Sequence, residues 1–175
     1  MLISACSNGK SESLSEAEGK QAADKARRPV AEVYWQLYNS IGGSASRGGG
    51  SGFFADCEKV RKDSVTYRVT TLLSSNSKKE PLESLTATVA KQLKSAGWSL
   101  SPSSGVHRSA TKNGTTVELN PSPVSGTSLQ LQVRSKCVNV GKEADVLTSD
   151  YANASDSYSN SQASASPVPT TFAKP

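Results

Sequence analysis

Apolar residues are unevenly distributed along this chain of 175 residues, and their distribution limits what the chain can fold into. They concentrate between Val30 and Val140, whereas both ends are rich in Ser, Ala, Gly and Asn. Segments with few apolar residues cannot bury enough surface to offset the entropy lost on folding. We therefore expect one core of roughly 80–110 residues, with residues 29–140 as a single domain, 1–28 as a leading segment and 141–175 as a disordered tail.

Two segments have the apolar spacing of amphipathic helices. Pro29 suits the first turn of a helix, where a missing N–H is tolerated, and Gly42 would end that helix. A second helix would open at Pro81 and end before Gly97, which suits the left-handed position after a helix. The apolar stripes consist of Val30, Val33, Tyr34, Leu37 and Ile41 in the first helix, and of Leu82, Leu85, Val89, Leu93 and Ala96 in the second.

Alternating apolar and polar residues predict β-strands, because successive side chains of a strand point to opposite faces. Asn113-Gly114 favours the two-residue turn of a hairpin. The predicted strands cover residues 65–73, 98–100, 106–112, 115–119 and 129–133. The expected fold class is therefore α+β, an antiparallel sheet of about four to five strands with two helices packed on one face.

Residues 42–52, GGSASRGGGSG, predict a flexible linker between the first helix and the sheet. The aromatic side chains of Trp35 and Tyr38 lie near the edges of the first helical stripe. They either pack onto the sheet or form a partly exposed patch that contacts a partner or ligand. We keep them as candidate partner contacts.

Cys57 and Cys137 each flank a predicted strand, and their spacing fits no zinc-binding pattern. In an oxidising compartment they would form a disulfide. Closing a loop of this length would stabilise the fold by about 4–4.5 kcal/mol in the chain-entropy model. The alternative is a pair of buried free thiols in a cytosolic protein.

The residues that usually carry catalysis are sparse or scattered. The single histidine, His107, belongs to a predicted hairpin strand, and a surface position is the expectation for it. No nucleophile-elbow pattern is present and the carboxylates are dispersed, so we predict no enzyme, no cofactor and no metal site. The net charge of +5 comes from basic residues mixed with acidic ones, which indicates a solvated surface and makes nucleic-acid binding an unfavoured alternative.

Residues 2–6, Leu-Ile-Ser-Ala-Cys, resemble the bacterial lipobox, in which an aliphatic residue and two small residues precede a cysteine. The resemblance implies that Cys6 carries a lipid and becomes the first residue of the mature protein. Five residues precede Cys6, so residues 1–28 are interpreted as a truncated signal segment with its lipobox, followed by a polar tether. More than one lipid chain would be needed for stable attachment to a membrane.

Residues 57–140 resemble small lipoproteins of actinobacteria such as streptomycetes, which lie on the outer face of the cell membrane. The shared features are the strand over 65–73, the helix ending at Ala96-Gly97-Trp98, the Lys112-Asn113-Gly114 turn and the late Cys137. The resemblance implies a lipid-anchored extracytoplasmic module that binds a protein or small ligand, with no catalytic residues to carry over. The alternatives are a soluble secreted inhibitor or small-ligand carrier, and a cytosolic basic protein that binds nucleic acid.

Overall fold

The computed structural model describes residues 14–41, 45–47, 49–57, 62–75, 81–102, 105–149 and 156–158. Within these residues the fold is α+β, as predicted, but it has three helices and nine strands. The helices are α1 (Glu16–Ile41), α2 (Leu82–Ser95) and α3 (Glu143–Ser149). The strands are β1 (Ala45–Arg47), β2 (Gly50–Asp56), β3 (Ser64–Ser75), β4 (Ser99–Leu100), β5 (Arg108–Lys112), β6 (Thr115–Pro121), β7 (Ser128–Arg134), β8 (Val138–Asn139) and β9 (Asp156–Tyr158).

The strands form one antiparallel sheet in the order β4-β5-β6-β7-β3-β2-β9. The 12-residue β3 lies at its centre, and β1 and β8 pair with the two ends of β3. Asn113 and Gly114 have φ of 51° and 78° and join β5 to β6, so the predicted hairpin is confirmed.

Helix α1 begins well before Pro29, which therefore lies inside the helix rather than in its first turn. The start is fixed by a capping box: the Ser15 hydroxyl accepts the Glu18 N–H at 3.4 Å, and the Glu18 carboxylate accepts the Ser15 N–H at 2.9 Å. The prediction of a polar tether up to residue 28 is wrong from Glu16 onward. Residues 1–13, including the candidate lipid site Cys6, lie outside the described residues.

Helix α2 matches its prediction closely. Pro81 precedes the helix, and Gly97 takes φ of 78° immediately after its end. The Trp98 N–H donates to the Leu93 carbonyl and the Gly97 N–H to the Lys94 carbonyl, both at 3.0 Å, which is the Schellman arrangement.

The predicted linker over residues 42–52 is wrong where β1 and β2 lie. Tyrosine rings packed against β2 explain why this strand contains glycines. A Cβ on Gly52 would lie 2.2 Å from the hydroxyl oxygen of Tyr67, and one on Gly50 would lie 2.7 Å from that of Tyr34. These glycines therefore leave room for aromatic packing inside a strand, although the composition alone indicates flexibility.

All three helices contribute buried side chains to one core on a single face of the sheet. The predicted disordered tail over 141–175 is wrong for α3 and β9, because Ala144, Leu147 and Tyr158 belong to that core. Tyr158 is only 1% exposed, so the short β9 is anchored by its last side chain. Residues 150–155 and 159–175 of that tail lie outside the described part of the chain.

Cys57 and Cys137 form a disulfide, as predicted, with their Cα atoms 6.0 Å apart. Cys57 directly follows β2, and Cys137 directly precedes β8. The bond therefore connects two segments that β3 already holds through the hydrogen bonds of the sheet.

Candidate functional site

The candidate partner contacts on α1 are buried. Trp35 is 4% exposed and Tyr38 is 3% exposed, so the hypothesis of an exposed aromatic patch is wrong and the packing alternative holds. Their rings meet at a centroid distance of 5.3 Å, and the Tyr158 ring lies 5.7 Å from that of Trp35. Tyr158 packs against this cluster, although it belongs to the segment over residues 141–175 for which the composition predicts no ordered structure.

A buried polar network lies beside the aromatic cluster and holds β9 against α1. The Arg27 guanidinium, whose side chain is 3% exposed, lies 2.9 Å from the Asp24 carboxylate and 3.4 Å from that of Asp156. The Tyr67 hydroxyl donates a hydrogen bond to Asp156 and lies 3.0 Å from the Tyr158 hydroxyl.

Burial controls the ionisation of this network. It raises the pKa of the Asp156 carboxyl above its usual range, although Tyr67 and Arg27 both favour the charged form. Burial also raises the pKa values of Tyr67 and Tyr158, so both hydroxyls stay neutral at ordinary pH. Most of the network is removed from solvent, with Asp24 as its most exposed member, and its members bond to one another. We therefore interpret it as a structural latch for β9.

His107 is exposed, as expected, and its Nδ1 lies 2.9 Å from the Asn120 side-chain oxygen. Among the described residues, no group of three or more His, Cys, Asp or Glu side chains is arranged to hold a metal ion. No helix in the described ranges is long and apolar enough to cross a membrane.

The other face of the sheet carries none of the described helices. Its side chains come from alternate positions of β2, β3, β6 and β7, and almost all of them are half-buried or exposed. They include Ser51, Phe53, Thr66, Arg68, Thr70, Leu72, Thr116, Glu118, Asn120, Gln130, Gln132 and Arg134. We call this surface the open face.

A groove of about 400 Å³ crosses the open face, which is within the size range of small-ligand sites. Residues of β2, β3 and β7 form its floor, and Ser122, Pro123 and Val124 of the loop after β6 line one side. The Ser122 hydroxyl fixes this loop by accepting the N–H groups of Val124 and Ser125 at 3.2 and 3.3 Å. Val124 is 86% exposed and Leu72 is 38% exposed, so two of the three large apolar side chains exposed in the described structure line this groove.

A cationic row lies next to the groove. Arg68 is directly opposite Phe53 on β2 and directly opposite Arg134 on β7. Arg134 binds the Glu118 carboxylate through two nitrogens at 3.0 and 3.2 Å. The Arg68 Nε is buried and has no hydrogen-bond partner among the described residues.

A second groove, of about 360 Å³, lies between α1 and α2. The Gln92 side chain spans it by donating a hydrogen bond to the Ser40 carbonyl at 2.9 Å. Neither groove has a charged side chain in its described lining. The open-face groove differs in that exposed apolar side chains line it and Arg68 lies directly opposite one of its lining residues, Phe53.

The open face was not predicted from the sequence, although the alternation of residues along two strands contains part of the information that defines it. The alternation over 65–73 and 129–133 already separates Arg68 and Arg134 from the core-facing residues. That these two arginines lie directly opposite each other depends on the register of β3 against β7, which the sequence does not specify.

Comparison with family models, with curated proteins and with solved structures finds no match for this chain. The resemblance to actinobacterial lipoproteins therefore stays a prediction from sequence.

Proposed function

We propose that this protein is a lipid-anchored binding module on the extracytoplasmic face of the cell membrane, and that it binds its ligand on the open face of the sheet. Cys6 is the anchor in this proposal. The module binds and releases its ligand without chemical change.

The face of the sheet that none of the described helices covers is the observation that carries the binding function. An antiparallel sheet with helices on one side can leave its other side to solvent, and such a side is usually polar throughout. Here Phe53, Leu72 and Val124 interrupt the polar surface at a groove of ligand size. Apolar side chains grouped beside polar ones are typical of binding sites.

The disulfide supports the proposed location. Disulfides persist in oxidising compartments and are rare in the reducing cytosol. Cys57 and Cys137 are paired with each other, which leaves Cys6 as the remaining cysteine of the chain. This division suits a lipoprotein, in which the first cysteine carries the lipid.

The start of α1 limits how far the domain can lie from such an anchor. Nine residues lie between Cys6 and Glu16, so ten Cα-to-Cα steps join them. A fully extended chain of that length spans about 35 Å at most. The folded domain would therefore work close to the bilayer surface.

Mass spectrometry of the membrane fraction tests this proposal. The expected result is an N-terminal Cys6 bearing lipid, with Cys57 and Cys137 linked before any reducing agent is added. An unmodified Cys6 preceded by Met1 would contradict the anchor. Protein in the culture supernatant with the disulfide intact would instead favour a soluble secreted inhibitor or carrier, and three reduced cysteines would favour a cytosolic protein.

A further inference from the structure

We propose that Arg68 and Arg134 bind the oxyanion of a small amphiphilic ligand, a carboxylate or phosphate monoester whose apolar part occupies the open-face groove. This inference rests on the proposed binding function and names the chemistry of its ligand.

The two arginines are direct cross-strand neighbours. In an antiparallel pair, the Cβ atoms of residues that lie opposite each other are about 4.5–5.5 Å apart, and like charges at such positions destabilise the sheet. Arg68 and Arg134 have this relation, and both project onto the open face. A bound anion would relieve the repulsion that their placement creates.

Their existing partners leave one positive charge uncompensated. Glu118 neutralises Arg134, and no ion pair among the described residues involves Arg68. The Arg68 Nε is also removed from solvent without a hydrogen-bond acceptor in the described structure. A buried donor without a partner is costly. Because Arg68 as a whole is half-buried, an incoming oxyanion would form its charge-assisted hydrogen bonds with the remaining nitrogens of the same guanidinium.

The groove determines the size and the apolar part of the ligand. Phe53 lines the groove and lies directly opposite Arg68, so the cationic row and the groove are adjacent. Leu72 and Val124 offer apolar contact, while Thr70 and Gln132 offer polar groups along the floor. A volume of about 400 Å³ fits a small molecule, and for this reason we assign a single bound ligand rather than a bilayer surface.

The test is a titration of the full-length, disulfide-linked protein followed by amide chemical shifts. The probes are octyl phosphate and octanoate, with octyl glucoside as the neutral molecule of matched chain length. Both anions should bind at least about tenfold more tightly than the glucoside, because an ionised head group adds hydrogen bonds that a sugar cannot match. Shifts should concentrate on β2, β3 and β7. Inorganic phosphate should shift residues near Arg68 and leave those near Val124 unchanged.

Four substitutions test the direction of the effect. Arg68→Gln should weaken octyl phosphate binding about tenfold. Glu118→Gln should strengthen it several-fold, because it removes the carboxylate that competes for Arg134. Arg28→Gln, at an exposed position on α1, removes the same charge and should leave Kd within about twofold. Arg68→Lys keeps the charge without the planar fork and should fall between wild type and Arg68→Gln.

Equal affinity for octyl glucoside and octyl phosphate would overturn the proposal, as would Glu118→Gln weakening the binding. Binding to phosphatidylglycerol vesicles without binding to the single molecules would also overturn it and would assign the face to the bilayer. If Arg68→Gln does not fold, the wild-type titration and Glu118→Gln still decide. These results are independent of Cys6, so loss of the anchor and loss of the anion site are separate failures.

Discussion

Removal of the disulfide should cost a large part of the stability of the domain. The perturbation is Cys57→Ala with Cys137→Ala, made in a Cys6→Ser background so that no thiol exchange occurs. The bonded cysteines are 80 residues apart in sequence. In the chain-entropy model a loop of that length restricts the unfolded chain by about 4.5 kcal/mol at 25 °C. Domains of this size are typically stable by only about 5–15 kcal/mol.

The native state should change little, because the backbone next to both cysteines is held independently. The Cys57 N–H donates to the Ser64 carbonyl at 3.2 Å, and the Ser135 N–H donates to the Tyr67 carbonyl at 2.9 Å. Most of the loss should therefore come from the unfolded chain. Alanine is used rather than serine because Cys57 is 6% exposed, and a hydroxyl buried there would add a separate cost.

Urea unfolding followed by tryptophan fluorescence measures the effect, since Trp35 and Trp98 are both buried. The variant should unfold at lower urea and with a larger m-value, because an unlinked unfolded chain exposes more surface. Reduced wild-type protein should behave like the variant. A loss below about 1 kcal/mol with an unchanged m-value would refute the entropic reasoning.

Three further perturbations test the packing and the latch. Gly52→Ala should lower the free energy of unfolding by about 1–3 kcal/mol through overpacking. Gly126→Ala is the control and should be near neutral, because its Cβ would have no neighbour within 4 Å. Equal effects of the two substitutions would contradict the close contact between Gly52 and the tyrosine rings. Leu131 is fully buried, so Leu131→Ala should lower the free energy of unfolding in urea by about 2–5 kcal/mol. Leu72→Ala, on the open face, should lower it much less. Similar losses would contradict the assignment of the two residues to opposite faces. Burial raises the pKa of Asp156 in the folded state. Between about pH 4 and that raised pKa, the native state therefore holds a proton that the unfolded chain has lost. The stability that Asp156 contributes should fall as the pH rises through this range. The stability of wild type relative to Asp156→Asn should therefore decline over that range in urea titrations, and a rise would show that the charged form is the favoured one.

The elements predicted correctly are those that local signals define. The stripe and the closing glycine of α2 lie within one segment, and Asn113-Gly114 specifies its own turn. The start of α1 also had a local signal, because Ser15 and Glu18 have the spacing of a capping box. The low apolar content of residues 16–28 concealed it, and only the packing against β9 shows why Arg27 is buried there.

The elements that escaped prediction depend on contacts between distant segments. Gly50 and Gly52 form a strand because tyrosines from elsewhere fill the space above them. Tyr158 belongs to the core because Gly52 leaves room for its ring. The cationic row of the open face has the same origin, since a register that brings together residues 66 positions apart leaves no trace in either segment alone.

The long sequence separation between Tyr158 and α1 has a consequence for folding during synthesis. The Tyr158 ring completes a core that Tyr34 and Trp35 begin, so a growing polypeptide cannot close that core until residue 158 has emerged. Until then Arg27 lacks Asp156, and the hollow above Gly52 stays unfilled. The packing of α1 against the sheet is therefore completed late, and a synthesis intermediate that stops before residue 156 should leave Tyr34 and Trp35 partly uncovered.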